Sequence, residues 1–165
     1  MEAIYLIGFM GSGKSTVSQE LGKRLSVPVY DTDEEVVKTR GKAINEIFAM
    51  DGEEAFRIIE SEVLQSMPDK DAVVATGGGI IMADANRKCL RDKGTVVFLY
   101  AGLDEILQRL EGDDTRPLLR QEKRKAAESL YNSRLLLYRD ISDLEIDTTG
   151  KSIGAITEEI LHRMK

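Results

Sequence analysis

The sequence predicts an α/β fold on a five-stranded parallel sheet, and two observations carry that prediction. Five short β-rich runs alternate with helical stretches of amphipathic period. Most of the runs are continuously apolar rather than alternating, as strands covered on both faces are. Alternation of this kind implies parallel pairing through right-handed crossovers. The length of 165 residues suits one domain spanning 1–165, large enough to bury a core without metals or disulfides.

The first run, 3–8 (AIYLIG), opens the sheet, and Val17, Leu21 and Leu25 recur at helical spacing after it. The second run, 27–31 (VPVYD), closes on an acid. Phe56, Ile59, Val63 and Met67 mark a second amphipathic helix, followed by the third run, 72–76 (AVVAT). The fourth and fifth runs are 95–100 (TVVFLY) and 143–148 (DLEIDT), and Ile153, Ile156, Ile160 and Met164 mark a terminal helix. One segment, 111–125 (EGDDTRPLLRQEKRK), is mostly charged. It reads either as a solvated loop or as a lid over a site.

Composition removes several function classes. With 42% hydrophobic and 32% charged residues the chain is neither disordered nor membranous. A formal net charge of −6 argues against a general nucleic-acid binder. The single cysteine, Cys89, and single histidine, His162, leave no disulfide, no multi-histidine metal site and no Ser–His–Asp apparatus. The segment Met1–Ile4 has no basic n-region before a short apolar run, so a cytoplasmic protein that engages no membrane is expected.

The strongest chemical signal is Gly8-Phe9-Met10-Gly11-Ser12-Gly13-Lys14-Ser15, which fits G-x-x-x-x-G-K-[ST] between a strand and a helix. Glycines let the backbone wrap a phosphate closely, and the loop and helix N–H groups supply directed positive charge. Gly11, Ser12, Gly13, Lys14, Ser15 and Thr16 are therefore the expected nucleotide contacts. Lys14 would reach the terminal phosphates, and the Ser15 hydroxyl would bind Mg²⁺ beside ATP. A guanine-reading N-K-x-D string is absent, and the chain is too short for a motor or larger ATPase. That leaves a small-molecule kinase.

Asp31-Thr32-Asp33 ends the second run, where an open parallel sheet places its ligands. Asp31 suits Mg²⁺ held through water, and Asp33 suits acceptance of a proton from an attacking hydroxyl. Thr32 and Glu35 equally read as a helix capping box. Gly77-Gly78-Gly79 after the third run implies close backbone approach to a ligand, or a plain turn. Arg57 and Arg134 stand beside apolar helix positions, and each read alone is a surface arginine, Arg57 within reach of Glu53 or Glu60.

Taken in order, GFMGSGKST (8–16), DTD (31–33), DGEEAFR (51–57), GGG (77–79), RPLL (116–119), Arg134 with Tyr138 beyond it, and DT (147–148) make the chain resemble the shikimate kinase family from Ile4 to the terminal helix. That resemblance implies a fold of nucleoside-monophosphate-kinase type with strand order 2-3-1-4-5, a substrate-binding segment near 32–60 and a lid near 111–125. The implied reaction is ATP- and Mg²⁺-dependent phosphorylation of the 3-hydroxyl of shikimate, in aromatic amino-acid biosynthesis. The resemblance gives Asp33, Arg57, Arg134 and the backbone of Gly77, Gly78 and Gly79 to shikimate. Arg116 becomes a lid arginine that closes over the transferring phosphate opposite Lys14. Arg109 takes the position that stacks on adenine, Ser15 and Asp31 hold Mg²⁺, and Glu60 holds Arg57. The catalytic set is thus Asp33, Lys14 and Arg116.

A carboxylate substrate calls for planar forked donors, which is a reason for arginine at 57 and 134. Ile58 and Leu136 depart from the family, which often has arginine and proline there. The partners expected are ATP and shikimate, with no nucleic acid, and the chain is expected to act as a monomer. A kinase of the same fold acting on gluconate or a nucleoside monophosphate is the alternative. A catalytically dead ATP-binding relative should have lost Lys14, Asp33 or Arg116, and all three are present.

Overall fold

A computed structural model describes the backbone of residues 1–110 and 120–164 and the side chains of 1–109 and 124–164. Arg116 and most of the proposed lid, 111–119, lie outside the described residues. The strands are β1 (Ala3–Ile7), β2 (Val29–Asp31), β3 (Val73–Ala75), β4 (Gly94–Tyr100) and β5 (Leu144–Asp147). They form one sheet in the order β2-β3-β1-β4-β5, every pair parallel, as expected. β2 starts two residues later than the apolar run, because Pro28 has no N–H for the ladder. Its carbonyl still accepts from Val73 N at 3.0 Å.

The continuous apolar runs are explained by cover on both faces. In β1, Ile4 and Leu6 face a cluster with Val17 and Leu21 of α1 (Lys14–Leu25) and Ile156 and Ile160 of α8 (Ile153–Arg163). Ala3, Tyr5 and Ile7 face the opposite way, into a larger cluster. That side is covered by α2 (Thr32–Arg40), α3 (Ile44–Asp51), α4 (Glu53–Ser66), α5 (Asp84–Lys93), α6 (Leu103–Leu110) and α7 (Arg120–Ile141). Leu21, Leu64 and Leu99 are fully buried, each contributing roughly 1.5–3 kcal/mol of hydrophobic stabilisation. The segment near 32–60 is therefore helical throughout α2, α3 and the start of α4. The last residues of the charged segment, from Arg120 on, already belong to α7.

Register places the site. Leu6 and Asp31 both pair with Ala75, so the carboxyl ends of β1, β2 and β3 are level. The residues just beyond them are Gly8, Asp33 and Gly77. Three stretches far apart in sequence thus leave the sheet together, at the edge where open α/β sheets bind ligands.

Candidate active site

The loop after β1 is shaped for an anion. Gly11 and Gly13 have φ of 82° and 96°, backbone that side chains rarely adopt. Gly13 caps α1 without any side-chain hydrogen bond, so the first N–H groups of the helix remain available to a phosphate. The Ser12 hydroxyl is buried with no partner among the described residues, as a group awaiting a ligand would be. Lys14 Nζ donates to Gly8 O at 2.6 Å and to Phe9 O at 3.0 Å, which holds the ammonium against the inner wall of the loop. Burial pushes its pKa down to about 8, opposed by Asp33 and Asp31.

The Ser15 hydroxyl donates to Asp31 Oδ2 at 3.0 Å, beside a cavity of about 330 Å³ that both residues line. A hydroxyl and a carboxylate oxygen in contact are the hard donors Mg²⁺ selects, and they fit that ion. Among the described residues no group of three His, Cys, Asp or Glu side chains is arranged to hold a metal alone. Mg²⁺ held here would complete its shell from phosphate oxygens and water, as it usually does.

The capping-box alternative at Thr32 and Glu35 is not the cap of α2. Asp31 is the cap, its Oδ1 accepting from Asp33 N at 2.9 Å and Glu34 N at 3.3 Å. Thr32 is fully buried, and its Oγ1 accepts from Gly77 N at 3.0 Å. The reason is one of register, since Thr32 leaves the sheet beside the end of β3 and meets the first free N–H there. Asp33 is thereby released from capping, and its carboxylate turns toward the triple glycine. A Cβ on Gly77 would lie 2.7 Å from Asp33 Oδ1 and 3.1 Å from Glu60 Oε2. Burial and the neighbouring Asp31 raise the Asp33 pKa above the usual carboxylate value, while Lys14 and Arg57 pull it down.

Two arginines arrive from separate helices. Arg57 Nη1 donates to Glu60 Oε1 at 2.9 Å, and its guanidinium lies 5.2 Å from the Phe56 ring centre. A Cβ on Gly79 would sit 2.6 Å from both Arg57 terminal nitrogens, so only glycine leaves room for the guanidinium. Glu60 is 1% exposed, and burial raises its pKa against the pull of Arg57. Arg134 is 7% exposed, lies 5.7 Å over the Phe9 ring, and leaves its Nε buried with no partner among the described residues. A buried guanidinium nitrogen without an acceptor points to an anionic ligand. Arg109 spans from Gly11 O (3.0 Å) to Thr148 Oγ1 (3.3 Å), between the phosphate loop and the end of β5.

The structure thus gathers Lys14, Ser15, Asp31, Asp33, Arg57, Glu60, Arg134 and the triple glycine at one sheet edge. Ile58 and Leu136, the two departures from the family pattern, are 56% and 73% exposed. Two participants carried no assigned role in the sequence. Thr32 was legible only as a cap. Tyr138 lies one helical turn beyond Arg134, and that spacing was the available signal that both face the same loop. The Tyr138 hydroxyl donates to Gly78 O.

Comparison with known proteins bears on the family and the fold. The family model described as shikimate kinase matches residues 10–165. A shikimate kinase from Bacillus cytotoxicus is 44% identical over 99% of both chains. Among solved structures, shikimate kinase from Acinetobacter baumannii in complex with shikimate superposes with TM-score 0.89 at 36% identity, covering 99% of this chain and 93% of that one. Shikimate kinase from Aquifex aeolicus gives TM-score 0.83 at 36% identity, over 98% of this chain and 95% of that one.

Proposed function

Since the chain belongs to the shikimate kinase family, we propose that it transfers the γ-phosphoryl group of ATP to the 3-hydroxyl of shikimate, with the site above as the machinery. The observation that carries the residue roles is Arg134, a buried arginine with an unpartnered Nε that shares the triple glycine with Arg57. Two forked cations beside an anion-binding loop suit a carboxylate substrate held opposite a triphosphate. Asp33 stands among them as the group that accepts the hydroxyl proton, its raised pKa bringing it nearer the operating pH of a base.

Phosphoryl transfer requires positioning and cationic screening more than covalent chemistry. Gly11, Ser12, Gly13 and Thr16 orient the nucleotide, and Lys14 neutralises its terminal phosphates. Ser15 and Asp31 hold Mg²⁺, which screens phosphate charge when bound. Arg109 packs on the base side, and Arg116, outside the described residues, is assigned to the closing lid at 111–125. Among the described residues no helix is long and apolar enough to cross a membrane. A monomer in the cytoplasm completes the proposal.

The test is ADP release in a coupled assay with shikimate, gluconate and AMP offered separately. Shikimate alone should support turnover, and EDTA should abolish it. Turnover with gluconate or AMP and none with shikimate would overturn the reading.

Lys14 adds a pH prediction. Its folded pKa of about 8 lies below the unfolded value of roughly 10.4, so the unfolded chain binds more protons between those values. Lys14 therefore costs stability below pH ~8, and that cost is relieved as the pH rises from ~8 to ~10.4. Bound phosphates favour the ammonium, so ATP binding near pH 8.5 should take up a fraction of a proton. Calorimetry in buffers of different ionisation enthalpy reads this uptake, and Lys14→Met should abolish it. Equal uptake in the variant would refute the assignment.

A further inference from the structure

The backbone polar groups of the triple glycine can be accounted for one by one. Gly77 N donates to Thr32 Oγ1 at 3.0 Å, and Gly77 O accepts from Ile80 N at 3.1 Å. Gly79 O accepts from Met82 N at 3.1 Å, and Gly78 O accepts from the Tyr138 hydroxyl. Every carbonyl of the loop is therefore occupied by the protein. The N–H groups of Gly78 and Gly79 find no acceptor among the described residues, although Gly79 is buried. Buried backbone donors are almost always paired, so the Gly79 N–H is left for a ligand.

Three of those four bonds come from the loop's own turn or from the DTD segment. The fourth comes from across the cleft. Tyr138 sits on α7, its ring stacked on Phe98 of β4 with centroids 5.0 Å apart and planes at 23°. The ring is 2% exposed, and burial raises the phenol pKa, so the hydroxyl remains a donor throughout the physiological range. In a trans peptide, the carbonyl of one residue and the N–H of the next point to opposite sides of one rigid plane. A hydroxyl that holds Gly78 C=O toward α7 therefore also directs Gly79 N–H away from α7. Gly79 is the residue whose Cα lies against the Arg57 guanidinium. Without that anchor nothing at Gly78 opposes rotation of the peptide, since glycine reaches most of the backbone map freely.

Resting on the shikimate kinase reading, we propose that Tyr138 is a positioning residue for the acceptor substrate. Its hydroxyl orients the Gly78–Gly79 peptide so that Gly79 N–H and Arg57 present their donors to the same ligand. The same hydroxyl also faces Arg134, another donor of the acceptor pocket, so its contribution is to binding of the acceptor.

The experiment compares Tyr138→Phe with Tyr131→Phe. Tyr131 lies on the same helix and also donates from a buried site to a carbonyl, Ala101 O at 3.0 Å, outside the proposed machinery. Tyr138→Phe keeps the stacked ring and should raise the shikimate KM about tenfold, the size of one lost hydrogen bond. Its ATP KM and kcat should stay within about twofold, because the donor serves ground and transition states alike. Tyr131→Phe should leave all three constants within about twofold. Calorimetric titration of each variant with shikimate, alongside its melting temperature, separates weak binding from poor folding. An unchanged shikimate KM in Tyr138→Phe would overturn the proposal. So would an equal rise in Tyr131→Phe, or a joint fall in both affinities and kcat. Failure of the wild-type protein to turn over shikimate would instead sink the functional reading on which the proposal rests.

Discussion

Asp33→Asn is expected to lower kcat by about 10²–10⁴, the range a positioned base contributes, while ATP affinity stays nearly intact. The carboxylate is oriented before any substrate arrives. Asp31 has taken over the capping of α2, Thr32 ties the segment to Gly77, and Asp33 faces the triple glycine at contact distance. Asparagine keeps that shape and loses the basic lone pair. Wild-type kcat should fall as the pH drops through the raised Asp33 pKa, and the acidic limb should disappear from the residual rate of the variant. The measurement is a pH–rate profile of both proteins. Activity within about tenfold of wild type, with the acidic limb retained, would make Asp33 an orienting group rather than a base.

Arg57→Ala is expected to weaken shikimate binding by roughly 2–5 kcal/mol, about 30-fold or more in the dissociation constant. The variant removes a charge-assisted fork from the acceptor and also strands Glu60, a carboxylate only 1% exposed that is bonded to Arg57 at 2.9 Å. Glu60 then has every reason to bind a proton, since burial already raises its pKa and its opposing cation is gone. Proton uptake limits the loss of stability, so a folded variant with weak shikimate binding is the expected outcome. Calorimetric titration with shikimate and, separately, with ATP decides it. An unchanged shikimate affinity, or an equal loss for both ligands, would remove Arg57 from the acceptor pocket.

Much of the fold was legible in the linear chain. AIYLIG, AVVAT and TVVFLY are apolar almost throughout, the pattern expected of a strand covered on both sides. The observed clusters divide Ile4 and Leu6 from Tyr5 and Ile7 accordingly. Strand order is a different matter. Nothing in a run of valines states which neighbour it takes, so the order 2-3-1-4-5 was reached through family resemblance and agrees with the observed pairing. The helices of 32–66 were only partly visible, because α2 buries little besides Thr32 and Val36 and so lacks a clean apolar period.

The phosphate loop was the part of the site that sequence alone could determine, because its chemistry is local. Glycines at positive φ, a lysine and a hydroxyl one residue apart act within a single turn, so spacing carries their geometry. The acceptor pocket is non-local. Whether Arg134 is a surface arginine or a buried one depends on which face of α7 meets the sheet, and packing of Tyr131, Tyr138 and Ile141 decides that. Whether Thr32 caps a helix or holds Gly77 depends on the register of β2 with β3. Sequence therefore determined the reaction class, through groups whose partners are neighbours in the chain. Tertiary structure decided how the acceptor is held, because its donors come from three separate elements and share a site only once the sheet has aligned them.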